Sequence, residues 1–336
     1  MVHMNQGQGE TSYAHNSSVQ QNRMMPLIEA AIIDLCGSRS TLFPEKMLIA
    51  DLGCSYGPNA LALVSTAVKA IINHCLQFQQ PPPEVCVLLN DLPDNDFNTV
   101  VKSLATLRQS NNKLFTSDSL HLVCSSNSLH WLSMAPEDLT MNQIPAYDMD
   151  EHARRERLPM VREAYARQFR KHFILFLELR AKELVPGGRM VVSLVGRPSN
   201  VKASKFFHLW ETLVQILSVM ALEGVIDKAK FDSFYVPVYG PSGEELREII
   251  QDEGSFSISD MRVYDAATDM NSMLFTPSSF VNYLRAIFEP IIVEHFGEVM
   301  DEFVRTAERR WSLEGSMQDE RARNPRAMLA VSLVKA

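Results

Sequence analysis

Met47 to Cys54 is a short apolar run that ends in Asp-Leu-Gly-Cys, and a helical pattern starts directly after it. This strand–turn–helix order constrains the fold more than any other feature of the chain. Asn59 to Leu76 carries Leu63, Val64, Ala67, Val68 and Ile71 at helical spacing. Pro81-Pro82-Pro83 breaks that helix, and Val85 to Leu89 is a second apolar strand closed by Asn90-Asp91. Asp96 to Leu107 has a helical pattern, and Leu120 to Cys124 is a third strand, followed by Ser125-Ser126-Asn127-Ser128. Pro159 to Leu184 is a long amphipathic helix that stops at Pro186-Gly187-Gly188, and Arg189 to Val195 is a fourth strand. The mixed charges from Asp148 to Arg157 fit a solvated loop or a helix start. Strands alternating with helices predict an α/β fold, a mostly parallel sheet with helices on both faces.

The second half has a different texture. Lys205 to Ile226 is a mostly apolar helix, and Phe231 to Pro241 an aromatic, proline-bounded loop. Ser242 caps a helix that runs to Asp252 and stops near Gly254. Phe256 to Val263 is a strand, Pro277 to Arg310 is helical with interruptions near Pro290 and Gly297, and Met328 to Val334 is a further strand. The expected organisation is an α/β domain over residues 1–200 with an N-terminal lid. A mainly helical cap follows over 201–326, and 327–336 returns to the sheet.

Composition narrows the function. The 336 residues are 46% hydrophobic with a formal net charge of -8, so a sizeable core is available and a phosphate backbone is a poor partner. No run of about 18 uncharged apolar residues predicts a membrane span. Met1 to Glu10 is polar, without the apolar core of a signal peptide. Five scattered cysteines, none paired at metal-ligand spacing, fit a reduced, cytoplasmic setting.

Asp51 to Asn59 is the stretch richest in chemistry. Its glycines let a ligand approach a helix N-terminus, but the spacing is not Gly-x-Gly-x-x-Gly, so the nicotinamide fingerprint fails. Asp51 can accept from an ammonium group, and Asp91, at the next strand end, from ribose hydroxyls. Taken alone, the stretch is equally a glycine turn with a capping aspartate. Ser12 to Gln20, alone, is a capped helix start. Ser125 to Trp131 follows a strand at the sheet's carboxyl edge, where open α/β sheets bind ligands. By itself it reads as a core tryptophan and a surface histidine, and Trp210 and Trp311 as ordinary core residues.

Together these pieces resemble one family, the plant SABATH methyltransferases. The carrying blocks are Gly9-Glu10-Thr11-Ser12-Tyr13-Ala14 with Asn16-Ser17 and Gln20, Ala50 to Asn59, and Asn90-Asp91-Leu92-Pro93 with Asn95-Asp96-Phe97-Asn98. They continue with Ser128-Leu129-His130-Trp131-Leu132-Ser133, Val185-Pro186-Gly187-Gly188-Arg189-Met190, Gly254-Ser255-Phe256, and Glu289-Pro290 with His295-Phe296-Gly297-Glu298. The resemblance implies a Rossmann-like methyltransferase sheet with an α-helical cap, and transfer of a methyl group from S-adenosylmethionine to a small carboxylic acid of the salicylate, benzoate, anthranilate or indole-acetate class. It implies that Tyr13, Ser17, Asp51, Cys54, Asn59, Asp91, Leu92, Ser125 and Ser126 surround the cofactor. Gln20 and Trp131 would hold the substrate carboxylate, with Asn127, His130, Leu209, Trp210 and Leu284 as pocket wall. Asp232, Phe234 and Tyr235 match a place where some members are assigned Mg2+. A homodimer is the expected assembly, with neither nucleic acid nor membrane as partner.

The chain departs from the family in three places. Where members carry Gly-Val-Pro-Gly-Ser-Phe-Tyr-x-Arg-Leu-Phe-Pro, only Lys113 to His121 remains, and the Ser-Phe pair on the adenine side is gone. Asn127 stands where many members have an aromatic residue, and Tyr235 replaces the asparagine that follows Phe234. Two rival readings therefore stand beside carboxyl methylation: a xanthine-type N-methyltransferase, and a catalytically impaired member.

Overall fold

The computed structural model describes residues 4–5, 9–13, 18–37, 44–55, 59–91, 115–198, 209–265, 276–314 and 327–336. Its strands are β1 (Lys46–Leu52), β2 (Glu84–Asn90), β3 (Leu120–Ser126), β4 (Leu184–Gly196), β5 (Phe256–Asp265) and β6 (Ala327–Lys335), in one sheet of order β2-β1-β3-β4-β6-β5. The first four are parallel, and β6 runs antiparallel between β4 and β5. The chain leaves β1 for β2 on one side and returns to β3 on the other. That reversal makes a crevice at the carboxyl ends of β1 and β3, the usual ligand position in such sheets. Asp51 pairs with Leu89 on one side and with Cys124 on the other, so the segments beginning at Gly53, Asp91 and Asn127 leave the sheet close to one level.

The helices are α1 (Ser18–Gly37), α2 (Asn59–Gln77), α3 (Glu137–Met141), α4 (Glu151–Glu183), α5 (Leu209–Leu222), α6 (Lys228–Asp232), α7 (Gly243–Glu253), α8 (Pro277–Phe296) and α9 (Met300–Glu314). Alternate strand residues feed opposite faces of the sheet. Ala50, Leu52, Val123, Met190 and Val192 pack with α4 and α7, whereas Met47, Ile49, Leu122, Cys124 and Val191 pack with α1 and α2. Val161, Tyr165, Phe169, Phe173 and Leu177 recur every fourth residue along α4 and give it a buried stripe. A third core joins α5, α6, α8 and α9 through Leu213, Leu217, Phe231, Leu284, Phe288 and Phe303. Residues from elsewhere pack on this cap as well: Met4, Tyr13, Trp131, Tyr147 and Met149. A buried ion pair ties cap to sheet, with Arg162 of α4 donating to Glu211 of α5 at 3.0 Å. No helix among the described residues is long and apolar enough to cross a membrane.

Several boundaries differ from the sequence expectation. Helix α4 starts at Glu151, not Pro159, because Asp150 caps it by accepting from the Ala153 N–H at 2.8 Å. Pro159 lies on the exposed side, where water can serve the carbonyl it leaves unpaired. Helix α8 runs through Pro290 and ends only at Gly297, whose φ is 87°. Helix α4 stops at Glu183, and Pro186-Gly187-Gly188 lies inside β4, which begins at Leu184 and not at Arg189, as a bulge. The pairing jumps from Leu120–Leu184 to Leu122–Arg189, with Gly187 at φ 72°. Phe231 and Asp232 close α6 instead of opening a loop. The predicted helix over Asp96 to Leu107 and the start of the one from Lys205 lie outside the described residues.

Candidate active site

The β1 end is shaped by its backbone. Gly53 has φ 80°, and a Cβ there would sit 2.5 Å from the Ser128 Cβ. The Gly53 and Cys54 N–H groups donate to the Asn90 carbonyl at 2.9 and 3.1 Å, which fixes the β1 exit against the β2 exit. Asp91 accepts from the Ser55 N–H. From β3, Ser128 Oγ donates to the Leu52 carbonyl at 3.3 Å and lies 2.6 Å from Ser125 Oγ. Asp51 is buried, and its Oδ1 has no hydrogen-bond partner among the described residues. Burial first, and the charge of Asp91 second, push its carboxyl up to about 7. Burial, with Asp51 and Asp91 nearby, also keeps the Cys54 thiol protonated. The crevice thus holds an acceptor that a cationic or hydrogen-bond-donating ligand satisfies.

The N-terminal segment is bonded to the cap. The Asn5 N–H donates to the Ala286 carbonyl of α8 at 2.8 Å, and the Tyr13 N–H donates to the Asn5 carbonyl at 3.0 Å. Asn5 Nδ2 donates to Glu289 at 3.1 Å. Tyr13 packs half-buried on the cap core, and burial of its hydroxyl, with Tyr283 and then Asp91 nearby, holds that group neutral.

The opposite wall is apolar. The Trp131 ring lies 6.0 Å from Phe288 and 5.9 Å from the His130 ring. His130 is buried and its Nδ1 has no partner among the described residues. Desolvation lowers its pKa to about 4, so it is a neutral imidazole at physiological pH. Asn127 is buried at φ 52°, a left-handed conformation that asparagine tolerates far better than an aromatic residue. Its N–H donates to the Ser193 carbonyl at 2.9 Å, and its Oδ1 is unpartnered among the described residues. Leu284 is fully buried on α8 one turn before Phe288. Trp210 is buried in the cap core and stacks on Tyr165 at 5.9 Å. Ser17, Leu92 and the side chains of Gln20, Asn59 and Leu209 lie outside the described residues, and with them the Gln20–Trp131 clamp.

Asp232, Phe234 and Tyr235 do not fit a divalent cation. The Asp232 carboxylate is engaged by Lys228, and the Tyr235 hydroxyl donates to the Ile144 carbonyl at 2.9 Å. Phe234 packs on His295 and Phe296 with ring centroids 5.1 and 5.0 Å away. Among the described residues no three His, Cys, Asp or Glu side chains converge. Sequence reasoning passed over Phe288 and Tyr283. Both follow Phe280 on the apolar stripe of α8, a pattern that marks a core face without saying that the face looks into a site.

The sheet order, with its antiparallel strand between β4 and β5, and the aspartates beside its crevice define the class: a Rossmann-like methyltransferase that uses S-adenosylmethionine. Asp51, Asp91 and Tyr13 are the residues that would hold that group, and the unsatisfied Asp51 oxygen is what makes them fit it. The family model for S-adenosylmethionine-dependent carboxyl methyltransferases matches residues 1–336. The chain is 38% identical to a jasmonate O-methyltransferase of Arabidopsis thaliana, covering 90% of this chain and 91% of that protein. It is 37% identical to a benzoic acid/salicylic acid carboxyl methyltransferase of Petunia hybrida, covering 90% of each. The solved structure of a loganic acid methyltransferase with S-adenosylhomocysteine superposes with a TM-score of 0.81, at 27% identity, over 99% of this chain and 98% of that one. This chain belongs to the SABATH family of S-adenosylmethionine-dependent carboxyl methyltransferases.

Proposed function

We propose that this enzyme forms the methyl ester of a small aromatic carboxylic acid of the salicylate, benzoate, anthranilate or indole-acetate class. The observation that carries the reading is the wall at Trp131: apolar rings beside a buried histidine that stays neutral, at the edge of a crevice lined by aspartates. Such a wall suits a flat apolar body with one polar end, and suits a sugar or nucleotide poorly. The activity named for the Petunia relative supports an aromatic acid, and that named for the Arabidopsis relative, on jasmonate, supports the carboxyl group as methyl acceptor.

A carboxylate is ionised near neutrality, since its ordinary pKa is about 4, so no general base is required. S-adenosylmethionine supplies, when bound, a methyl group on a cationic sulfur. Transfer to an anion cancels two charges, so a weakly polar surround favours the reacting geometry over the separated ions. His130 as a neutral ring and the indole N–H of Trp131 can orient an oxyanion without a fixed positive charge that would bind it tightly and blunt its attack. Tyr13 and the cap exclude water from above, and Asp51 and Asp91 supply negative charge on the cofactor side.

The test has two stages. Calorimetry with S-adenosylmethionine is expected to show binding in the micromolar range. A methyl-transfer screen over salicylate, benzoate, anthranilate, jasmonate, indole-acetate and xanthosine is then expected to give an aromatic acid as preferred substrate. Preference for xanthosine would replace the reading with N-methylation. Absence of cofactor binding would establish the impaired member that the shortened stretch before His121 suggests.

A further inference from the structure

The His130–Leu132 segment is held by a partner strand far away in sequence. The Tyr239 N–H donates to the His130 carbonyl at 3.0 Å, and the Leu132 N–H donates to the Pro237 carbonyl at 2.8 Å. Trp131 and Val238 face each other as an antiparallel bridge. The placement of the substrate wall is therefore the placement of residues 237–239.

Those residues are anchored by a polar cluster at the end of β4, in which Arg197 and Tyr239 are buried and Glu245 half-buried. Arg197 Nη1 donates to the Tyr239 hydroxyl at 3.2 Å and to the Gly240 carbonyl at 2.9 Å. Arg197 Nη2 donates to Glu245 Oε2 at 2.6 Å, and the Arg197 N–H donates to the Pro241 carbonyl at 2.9 Å. The Tyr239 hydroxyl donates in turn to Glu245 Oε1 at 2.8 Å. Glu245 also completes the capping box of α7, where Ser242 Oγ accepts from its N–H at 3.1 Å. The turn has no slack: a Cβ on Gly196 would lie 2.5 Å from the Pro241 carbonyl oxygen. A guanidinium with fixed fork geometry, bonded to one hydroxyl, one carboxylate and one carbonyl, with its own backbone N–H on a second carbonyl, specifies one position for this segment.

We infer that Arg197, Tyr239 and Glu245 form a positioning device for the methyl acceptor. They touch no reacting atom. They act through the 237–239 bridge to set where His130 and Trp131 stand. Mere stabilisation needs no such specificity, because the Tyr239 ring already packs on Phe169 at 5.3 Å in the apolar core. The kinetic part of this inference rests on the carboxyl-methylation reading above; the geometric part does not.

The test compares Tyr239→Phe and Glu245→Gln with Ile249→Val, a core change on α7 outside the cluster. Glu245→Gln keeps the side-chain length and a capping-box residue, so it folds even where the tyrosine variant is weakened. Each cluster variant is expected to raise the acid KM or lower kcat by about tenfold in all, while the S-adenosylmethionine Kd stays within about twofold. Ile249→Val is expected to lower the melting temperature with unchanged kinetics. Trp131 emission, isolated as the difference between each protein and its Trp131→Phe counterpart, is expected to shift in the cluster variants and not in Ile249→Val. Wild-type kinetics with wild-type Trp131 emission would overturn the inference, as would equal losses of acid and cofactor binding. A wild type that methylates no acid would overturn the substrate reading instead, and Trp131 emission would then decide the positioning inference alone.

Discussion

The two sides of the crevice are built on opposite principles. On the cofactor side, Asp51 is buried with an oxygen unpaired among the described residues, Gly53 and Ser55 have φ of 80° and 58°, and the Cys54 thiol and the Asp51 carboxyl are held toward their neutral forms. On the acid side, Phe288 belongs to the cap core and Trp131 packs against it, and His130–Leu132 is bonded into a bridge. The difference follows from ligand charge. A cationic ligand is best recognised by buried anions, which the empty fold tolerates at a cost. An anionic ligand that must remain reactive is best held by neutral groups, and these can double as core. Ligand binding and stability therefore oppose each other on one side and agree on the other.

The sharpest way to break this contrast is Asp91→Ala. It is expected to weaken S-adenosylmethionine by at least about 100-fold, roughly 2.7 kcal/mol, while the melting temperature moves only a few degrees. Calorimetry and thermal melts check both, and wild-type affinity would mean that the cofactor crevice is misplaced. Gly53→Ala comes next. The positive φ and the 2.5 Å approach to Ser128 should cost about 1–3 kcal/mol of stability, read by denaturant melts, because neither the backbone nor the serine can yield freely. Trp131→Phe keeps the core filled but removes the indole N–H. It is expected to lower kcat/KM for the acid about tenfold and leave cofactor affinity unchanged.

The pH dependence of stability sharpens the contrast further. Asp51 has its folded pKa raised from the ordinary 3.8 to about 7, so the native state holds a proton there that the unfolded chain releases. Its contribution to stability is complete below about pH 4 and is lost as pH rises through about 7. Asp51→Asn is therefore expected to raise the melting temperature of the cofactor-free protein by a few degrees at pH 8 and by less at pH 5. Wild-type cofactor affinity should fall as pH drops below about 7, which the variant would not show. A constant melting difference across pH would remove Asp51 from the buried anions of this site.

What the sequence revealed was local. Ser242 and Gly254 bracket α7 because a capping box and a left-handed glycine are written within a few residues of the helix they bound. The four parallel strands were equally plain as apolar runs, and the aspartates at the ends of β1 and β2 stood out with them. Pro159 and Pro290 misled because a proline's cost depends on whether water or packing serves the groups it leaves, and this is decided in three dimensions. The Trp131–Val238 pairing joins residues about a hundred positions apart, and neither side has a strand pattern. Nothing in the sequence pairs Arg197 with Glu245, which the fold brings together with the arginine buried and the glutamate half-buried. Tyr239 before Gly240-Pro241 was the one available signal, an aromatic residue placed beside a tight turn.

Strand β6 carries a consequence for how the protein is made. It is last in chain order, yet it lies inside the sheet, bonded to β4 along Ala327–Val334 and to β5 along Ala327–Lys335. Until the ribosome has released those residues, β4 has an open edge and β5 has no neighbour in the sheet. The long apolar edge of Met190 to Leu194 must then wait, shielded or chaperoned, through synthesis of the whole cap. The nascent chain is thus most exposed to aggregation in the interval between finishing the helices that enclose the substrate and adding the strand that completes the sheet.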